Sequence, residues 1–193
     1  GDVYKRQVVT NGMSQHSRNE RNANSGLVVA LDADDLATFE RFPGDPLAGI
    51  ALQRELEERA FRLGGNSYAA PAQRLEDFLA ARPSTRLGAI AASYQPGVHP
   101  ADLDALLPPP IVEALREALP VFARKLKGYD HPDAVLTGVE TRTSSPVRIP
   151  RDEALESLNV KGLVPAGEGA GYAGGILSAG IDGIRAAEAL AIQ

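Results

Sequence analysis

The stretch GLVPAGEGAGYAGGILSAGIDGIRAAEAL, Gly162 to Leu190, constrains the fold more than any other part of the chain. An apolar run, a dense glycine turn and a small-residue helical pattern follow one another without a break. Such a unit needs a sheet or another helix against which to pack. Gly169, Gly171 and Gly174 spell G-x-G-x-x-G. That spacing serves a dinucleotide when strand, turn and helix are followed by a second parallel strand with an acid about 20 residues on. Here the sequence closes at Gln193, just after the helix, and Glu188 lies on that helix. No second strand is therefore expected and Glu188 is not expected to act as the ribose-binding acid, so the complete fingerprint is expected to fail on geometry.

The local physics survives. A helix starting near Gly174–Gly175 offers unpaired N–H groups and the positive end of its dipole, which favours an anion or an electron-rich oxygen. Glycine lets a ligand approach the backbone closely. Glu168 stands just before the turn, placed to accept hydrogen bonds from hydroxyl groups. Ser178, Ala179, Gly180 and Gly183 imply close packing of the helix against another backbone. The plainer alternative is that the glycines serve only turns and packing.

A chain of 193 residues suits one medium domain or two small ones. A net charge of -5 argues against a nucleic-acid partner. The chain has no cysteine, which excludes disulfides, thiolate metal sites and a cysteine nucleophile, and fits a reducing cytoplasm. No apolar run approaches the roughly 18 residues of a membrane helix, and no signal peptide is seen. The opening GDVYKRQ resembles translated adapter read-through at the end of a metagenomic reading frame. Gly1–Gln7 are therefore set aside, and the true N-terminal part is expected to be missing.

Val8–Thr10 and Leu27–Leu31 read as two strands joined by a polar loop. DPLAGIALQRELEERAFRLGG is the clearest helix, capped by Asp45, with Pro46 in its first turn and Gly64 and Gly65 at its end. APAQRLEDFLAARPS reads as a shorter helix with Pro71 at its start. Arg82–Pro110 reads as a crossing between subdomains, with a helical turn or two in HPADLDALLP. PPIVEALREALPVFARKLKG resumes helical spacing through Ile111, Leu115, Leu119, Phe122 and Leu126, kinked or interrupted at Pro120. Ala134–Glu140, Val147–Ile149 and Leu163–Ala166 read as strands. Gly174–Ile192 reads as a helix with Ile176, Leu177, Ile181, Ile184, Ala187 and Leu190 on its inner side. This alternation predicts an α/β or mixed α+β fold with a mixed sheet.

Other candidate residues carry weaker signals. Arg142, Thr143, Ser144 and Ser145 form a polar cluster suited to a substrate- or cofactor-facing loop, or to an ordinary turn. Arg148 and Arg151 could meet a carboxylate or phosphate, or simply be solvated. His99 and His131 precede prolines and suggest turns; His16 is the one histidine worth testing for proton transfer. The three are not at metal-ligand spacing. SRNERNANS lacks the interleaved aromatics of a nucleic-acid loop. Neither Ser25 nor Ser178 lies in a nucleophile elbow, and no G-K-[ST] follows a glycine run.

GLVPAGEGAGYAGGILSAGIDGIRAAEAL resembles the C-terminal closing segment of flavoproteins with two dinucleotide-binding domains. TGVETRTSSPVRIPRDE, PLAGIALQRELEERAF and VVTNGMSQHSRNERNANSG look like the same family, a bacterial group described as uncharacterised FAD-dependent dehydrogenases. The resemblance spans Val8 to Gln193. It implies a cap or substrate region at 8–133 and a return to a discontinuous, Rossmann-like FAD domain at 134–193. It implies that Gly167 and Glu168 match the Gly-Asp pair whose acid meets FAD hydroxyls, with Gly169 in the turn. Glu in place of Asp departs from that pattern and lengthens the reach by one methylene. Gly174, Gly175 and Ile176 match the helix N-terminus beside the flavin's N1–C2=O edge, where reduced flavin carries negative charge. The implied activity is hydride or electron transfer through FAD to a small-molecule substrate, with NAD(P)H as a possible electron partner. The ADP-binding half is absent from this sequence, so the missing N-terminal half is an expected partner, and the isolated chain is expected to bind FAD poorly and be inactive. The competing reading is a non-enzymatic, helix-rich interaction or scaffold domain.

Overall fold

Asp45 shows how the longest prediction is met. In the computed structural model, which describes residues 6–14 and 16–192, its Oδ1 accepts the Leu47 N–H at 2.9 Å. Helix α1 then runs over Ala48–Leu63. Gly64 and Gly65 end it: Gly65 adopts φ +80°, and a Cβ on Gly64 would stand 2.0 Å from the Ala69 carbonyl. The fold is a mixed α and β one with a small mixed sheet, in two compact units. The first holds residues 1–32 and 54–141; the second holds 33–53 and 142–193. The segment after residue 133 thus contributes to both.

In the first unit, APAQRLEDFLAARPS is not one helix. Ala70–Arg74 is strand β1 and Leu75–Leu79 a short helix α2. β1 is central: it pairs parallel with β2 (Val98–Pro100) and antiparallel with β3 (Val135–Thr137). Pairing outweighs helix propensity here. Pro71 is tolerated because its missing donor faces β3 at the end of the register, while its carbonyl still accepts the Gly138 N–H at 2.9 Å. His99 lies within β2, not in a turn.

Buried Leu56, Ala60, Phe61, Leu75, Phe78 and Leu106 form the core of this unit. Fully buried Gln73 is satisfied at both ends of its amide, donating to the Arg82 carbonyl and accepting from the Leu103 N–H, each at 2.8 Å. A 3-10 turn at Leu103–Ala105 meets the expected helical turn. Helix α3 (Pro109–Lys125) passes through Pro120 without interruption, and buries Val112 and Leu119 while Phe122 and Leu126 stay exposed. Arg116 ties α3 to α2, donating to the Phe78 carbonyl at 2.8 Å and standing over the Phe78 ring.

Val8–Thr10 is not a strand, although Val8 is buried and its N–H reaches the Glu57 carbonyl at 3.0 Å. Leu27–Leu31 forms no strand either, and Val28 and Leu31 are exposed. β-branched content alone makes no strand where no partner lies alongside. Of the predicted Ala134–Glu140 strand, only Val135–Thr137 pairs.

The second unit has a 3-10 helix at Asp34–Phe39, the start of α1, and helix α4 (Ile176–Ile192). Val147–Ile149 and Leu163–Ala166 are not strands; one isolated bridge joins Arg151 and Ser157. The expected inner face of α4 is exposed: Ile176, Leu177, Ile181, Ile184, Ala187 and Leu190 all face outward, Ile176 at 88%. The residues of α4 that are buried are Asp182 and Ala186. With Ala179, whose Cβ is 3.9 Å from where a Cβ on Gly167 would stand, they form an i, i+3, i+7 stripe. Of the small residues expected to pack, Ala179 lies against Gly167, whereas a Cβ at Gly180 or Gly183 would meet no atom within 4 Å among the described residues.

Candidate functional site

The glycine loop is fixed by two left-handed residues. Gly167 has φ +71° and Gly171 φ +82°, conformations that glycine adopts without steric cost. Turn bonds close the loop: the Gly171 N–H donates to the Glu168 carbonyl at 2.9 Å, and the Tyr172 N–H to the Gly167 carbonyl at 3.1 Å. Gly171 is needed for space as well, because a Cβ there would lie 2.7 Å from the Val147 carbonyl. Gly169 and Gly174 differ. Neither has a positive φ, and a Cβ on either would enter open space. The G-x-G-x-x-G triplet therefore splits into one glycine the turn requires and two that leave the backbone open to a ligand.

The loop is tied to neighbouring segments. The Ile149 N–H donates to the Ala170 carbonyl at 3.2 Å, and the Ser145 hydroxyl lies 3.1 Å from the Gly169 carbonyl. Beyond it, the Ala179 N–H bonds to the Gly175 carbonyl at 2.9 Å and α4 is under way. The first-turn N–H groups of α4 lack partners one turn earlier, by the geometry of any helix. Glu168 is half-buried, and among the described residues no hydrogen bond or ion pair engages its carboxylate.

Beneath the loop lies an ion pair. The Arg151 guanidinium meets the Asp182 carboxylate in a fork, Nη1–Oδ2 2.9 Å and Nη2–Oδ1 2.6 Å, each side chain only 10% exposed. Arg151 Nη1 also donates to the Pro165 carbonyl at 2.7 Å, and Asp182 Oδ2 accepts the Gly167 N–H at 2.8 Å. The hydrogen bond from Arg151, then that from Gly167, hold the Asp182 carboxyl down at about 2 against the opposing effect of burial. The same pairing raises Arg151. Tyr172 completes the arrangement. Its ring lies under the Arg151 guanidinium at 3.7 Å and under that of Arg148 at 4.3 Å. Its hydroxyl accepts the Arg151 N–H at 3.1 Å and donates to the Ile149 carbonyl at 3.0 Å.

Gly167, Glu168, Gly169, Gly174, Gly175 and Ile176 thus come together in one loop and helix start. Arg142, Thr143 and Ser144 are exposed in the same unit; His16 is exposed in the other. Arg151 does not offer its charge to a ligand: Asp182 takes it. Asp182 and Tyr172 were missed by sequence reasoning. The available signal was an acid inside an otherwise small and apolar stretch, SAGIDGIRAA.

A second polar cluster, in the first unit, is structural. Ser84 donates to Asp77 Oδ2 at 2.7 Å, Arg82 to Asp77 Oδ1 at 2.7 Å, and Arg74 to Asp133 at 2.9 Å. Asp77 is lowered chiefly by Ser84, and Asp133 chiefly by the Ala89 N–H. Among the described residues no buried side-chain polar atom lacks a partner, no group of three or more His, Asp or Glu could hold a metal, and no helix is long and apolar enough to cross a membrane.

Residues 3–143 match the family described as FAD-dependent protein, C-terminal domain-like. The match begins within Gly1–Gln7, which gives no support to treating that segment as foreign, and ends before the glycine loop. A Clostridium beijerinckii protein described as uncharacterized is 51% identical over 182 residues, covering 94% of this chain and 33% of its own length. An alignment of that length takes in most of the glycine loop, and the chain spans about one third of that relative. On a family match that covers well over half of its residues, the chain belongs to the FAD-dependent protein, C-terminal domain-like family.

Proposed function

We propose that this chain is the C-terminal part of a cytoplasmic, FAD-dependent oxidoreductase. Its glycine loop and the start of α4 would contact the cofactor, and the missing N-terminal part would hold the ADP half. Membership in an FAD-dependent family is the observation that carries this reading. The residues present fit such a group. Gly169 and Gly174 leave their backbone open, Glu168 has a carboxylate that no described residue engages, and a helix N-terminus follows.

FAD supplies the redox chemistry when bound, passing a hydride or electrons to or from a small-molecule substrate. Within this reading Gly167 and Gly169 let the backbone approach the cofactor, and Glu168 accepts hydroxyl hydrogen bonds. Gly174, Gly175 and Ile176 present N–H groups where negative charge builds on reduction. NAD(P)H is the electron partner we would test first, and Arg142, Thr143, Ser144 and His16 are the side chains to test for substrate contact.

The exposed apolar face of α4 supports a further part of the reading: the rest of the longer protein covers it. The relative's greater length is consistent with that. The test is reconstitution of the longer protein with FAD. Bound flavin, weakened in Glu168→Gln, is expected; a longer protein that takes up no FAD would overturn the proposal.

A further inference from the structure

We propose that the Arg151–Asp182 pair is the positioning device of the cofactor loop, holding the two halves of the FAD contact in register; this rests on the function proposed above. The two halves lie on either side of the turn: Glu168 just after the chain enters it, Gly174–Ile176 where it leaves. The turn bonds hold Glu168 against Gly171 and Gly167 against Tyr172, but Gly174, where the chain leaves the turn for the helix, is held neither by φ nor by packing.

The pair removes that looseness directly. Asp182, on the second turn of α4, takes the Gly167 N–H at 2.8 Å. Arg151 takes the Pro165 carbonyl at 2.7 Å and locks Asp182 with both arms of its fork. One buried ion pair therefore joins the last residues before Glu168 to the helix whose N-terminus forms the other half. Tyr172 anchors the exit of the turn to the same arginine, through its ring at 3.7 Å and its hydroxyl at 3.1 Å.

α4 contributes little else to hold itself in place. Its apolar side chains face outward, and its buried stripe is Asp182 with Ala186. Shifting Asp182 therefore shifts the helix N-terminus relative to Glu168. A planar fork is essential to this role: lysine keeps the charge but reaches only one oxygen at a time.

The experiment uses the full-length protein with FAD, comparing wild type, Asp182→Asn, Arg151→Met and Arg151→Lys. Apoprotein folding is followed by circular dichroism, FAD affinity by fluorescence on reconstitution, and the bound flavin by its visible spectrum and midpoint potential. Asp182→Asn and Arg151→Met are expected to weaken FAD binding by about tenfold or more, as for loss of a charged hydrogen bond supporting a binding loop. Both should also alter the spectrum or potential of the flavin that remains, which a purely structural clamp would leave unchanged. Arg151→Lys, the mildest change, is expected to fold and still lose several-fold in affinity. If either stronger variant fails to fold, Arg151→Lys decides. Folded variants with wild-type affinity, spectrum and potential would overturn the positioning role. A wild-type protein that binds no FAD would instead overturn the function on which it rests.

Discussion

Gly169 and Gly171 stand two positions apart and obey opposite constraints. Gly171 is left-handed and lies against the Val147 carbonyl. Gly171→Ala is expected to destabilise the second unit by about 1–3 kcal/mol, measured by urea unfolding of the chain. Gly169→Ala, with open space and no positive φ, is expected to change stability by less than about 0.5 kcal/mol, yet to reduce FAD affinity in the longer protein. Loss of stability at Gly169 with unchanged FAD binding would reverse these assignments. Asp182 gives a matching test in pH. Its carboxyl is held at about 2 against an ordinary 3.8. A depressed value contributes stability in full above the unfolded value and loses it as pH falls through the folded one. The Gly167–Tyr172 loop should therefore lose hydrogen-exchange protection between about pH 4 and pH 2. Asp182→Asn should remove that pH dependence, and should itself cost roughly 3 kcal/mol, because it leaves Arg151 charged, buried and unpaired.

The secondary-structure elements were legible in the sequence to different degrees. α1 was readable nearly to its ends, because Asp45, Pro46 and the Gly64–Gly65 pair are local signals that act locally. Asp45→Ala removes the Leu47 contact and the Arg41 pair, whose hydrogen bond holds the Asp45 carboxyl well below the usual carboxylate range. It is expected to lower the midpoint of thermal unfolding. β1 was not readable. Its alanines, Pro71 and buried Gln73 look helical or polar until β2 and β3 arrive from distant parts of the chain. The predicted strands at 27–31, 147–149 and 163–166 failed for the converse reason: strand-forming residues make no strand without a strand to pair with. The site was half legible. Glycine spacing located the loop, but the role of Asp182 depends on a fold that returns Arg151 to it. For α4 the period was right and the direction wrong. Leu177→Glu with Ile184→Lys should leave the chain's stability within about 0.5 kcal/mol, since both side chains are exposed. In the longer protein the same pair of changes should release FAD. Equal stability and FAD content in both settings would show that nothing covers this face.

Of the two compact units, the second exposes the apolar face of α4. A contiguous apolar face of this kind is a surface that meets a partner or self-associates. Purified alone, the chain is expected to bind a hydrophobic dye, to associate as concentration rises, and to show only weak FAD binding in a fluorescence titration. A monodisperse chain that binds FAD tightly would contradict the division of the cofactor site proposed here. The most direct measurement is the visible absorbance spectrum and FAD stoichiometry of the longer protein after purification and reconstitution. A flavin spectrum with about one FAD per chain, weakened by Glu168→Gln and by Asp182→Asn, is the predicted result. A colourless, folded protein that takes up no FAD when it is supplied would contradict it.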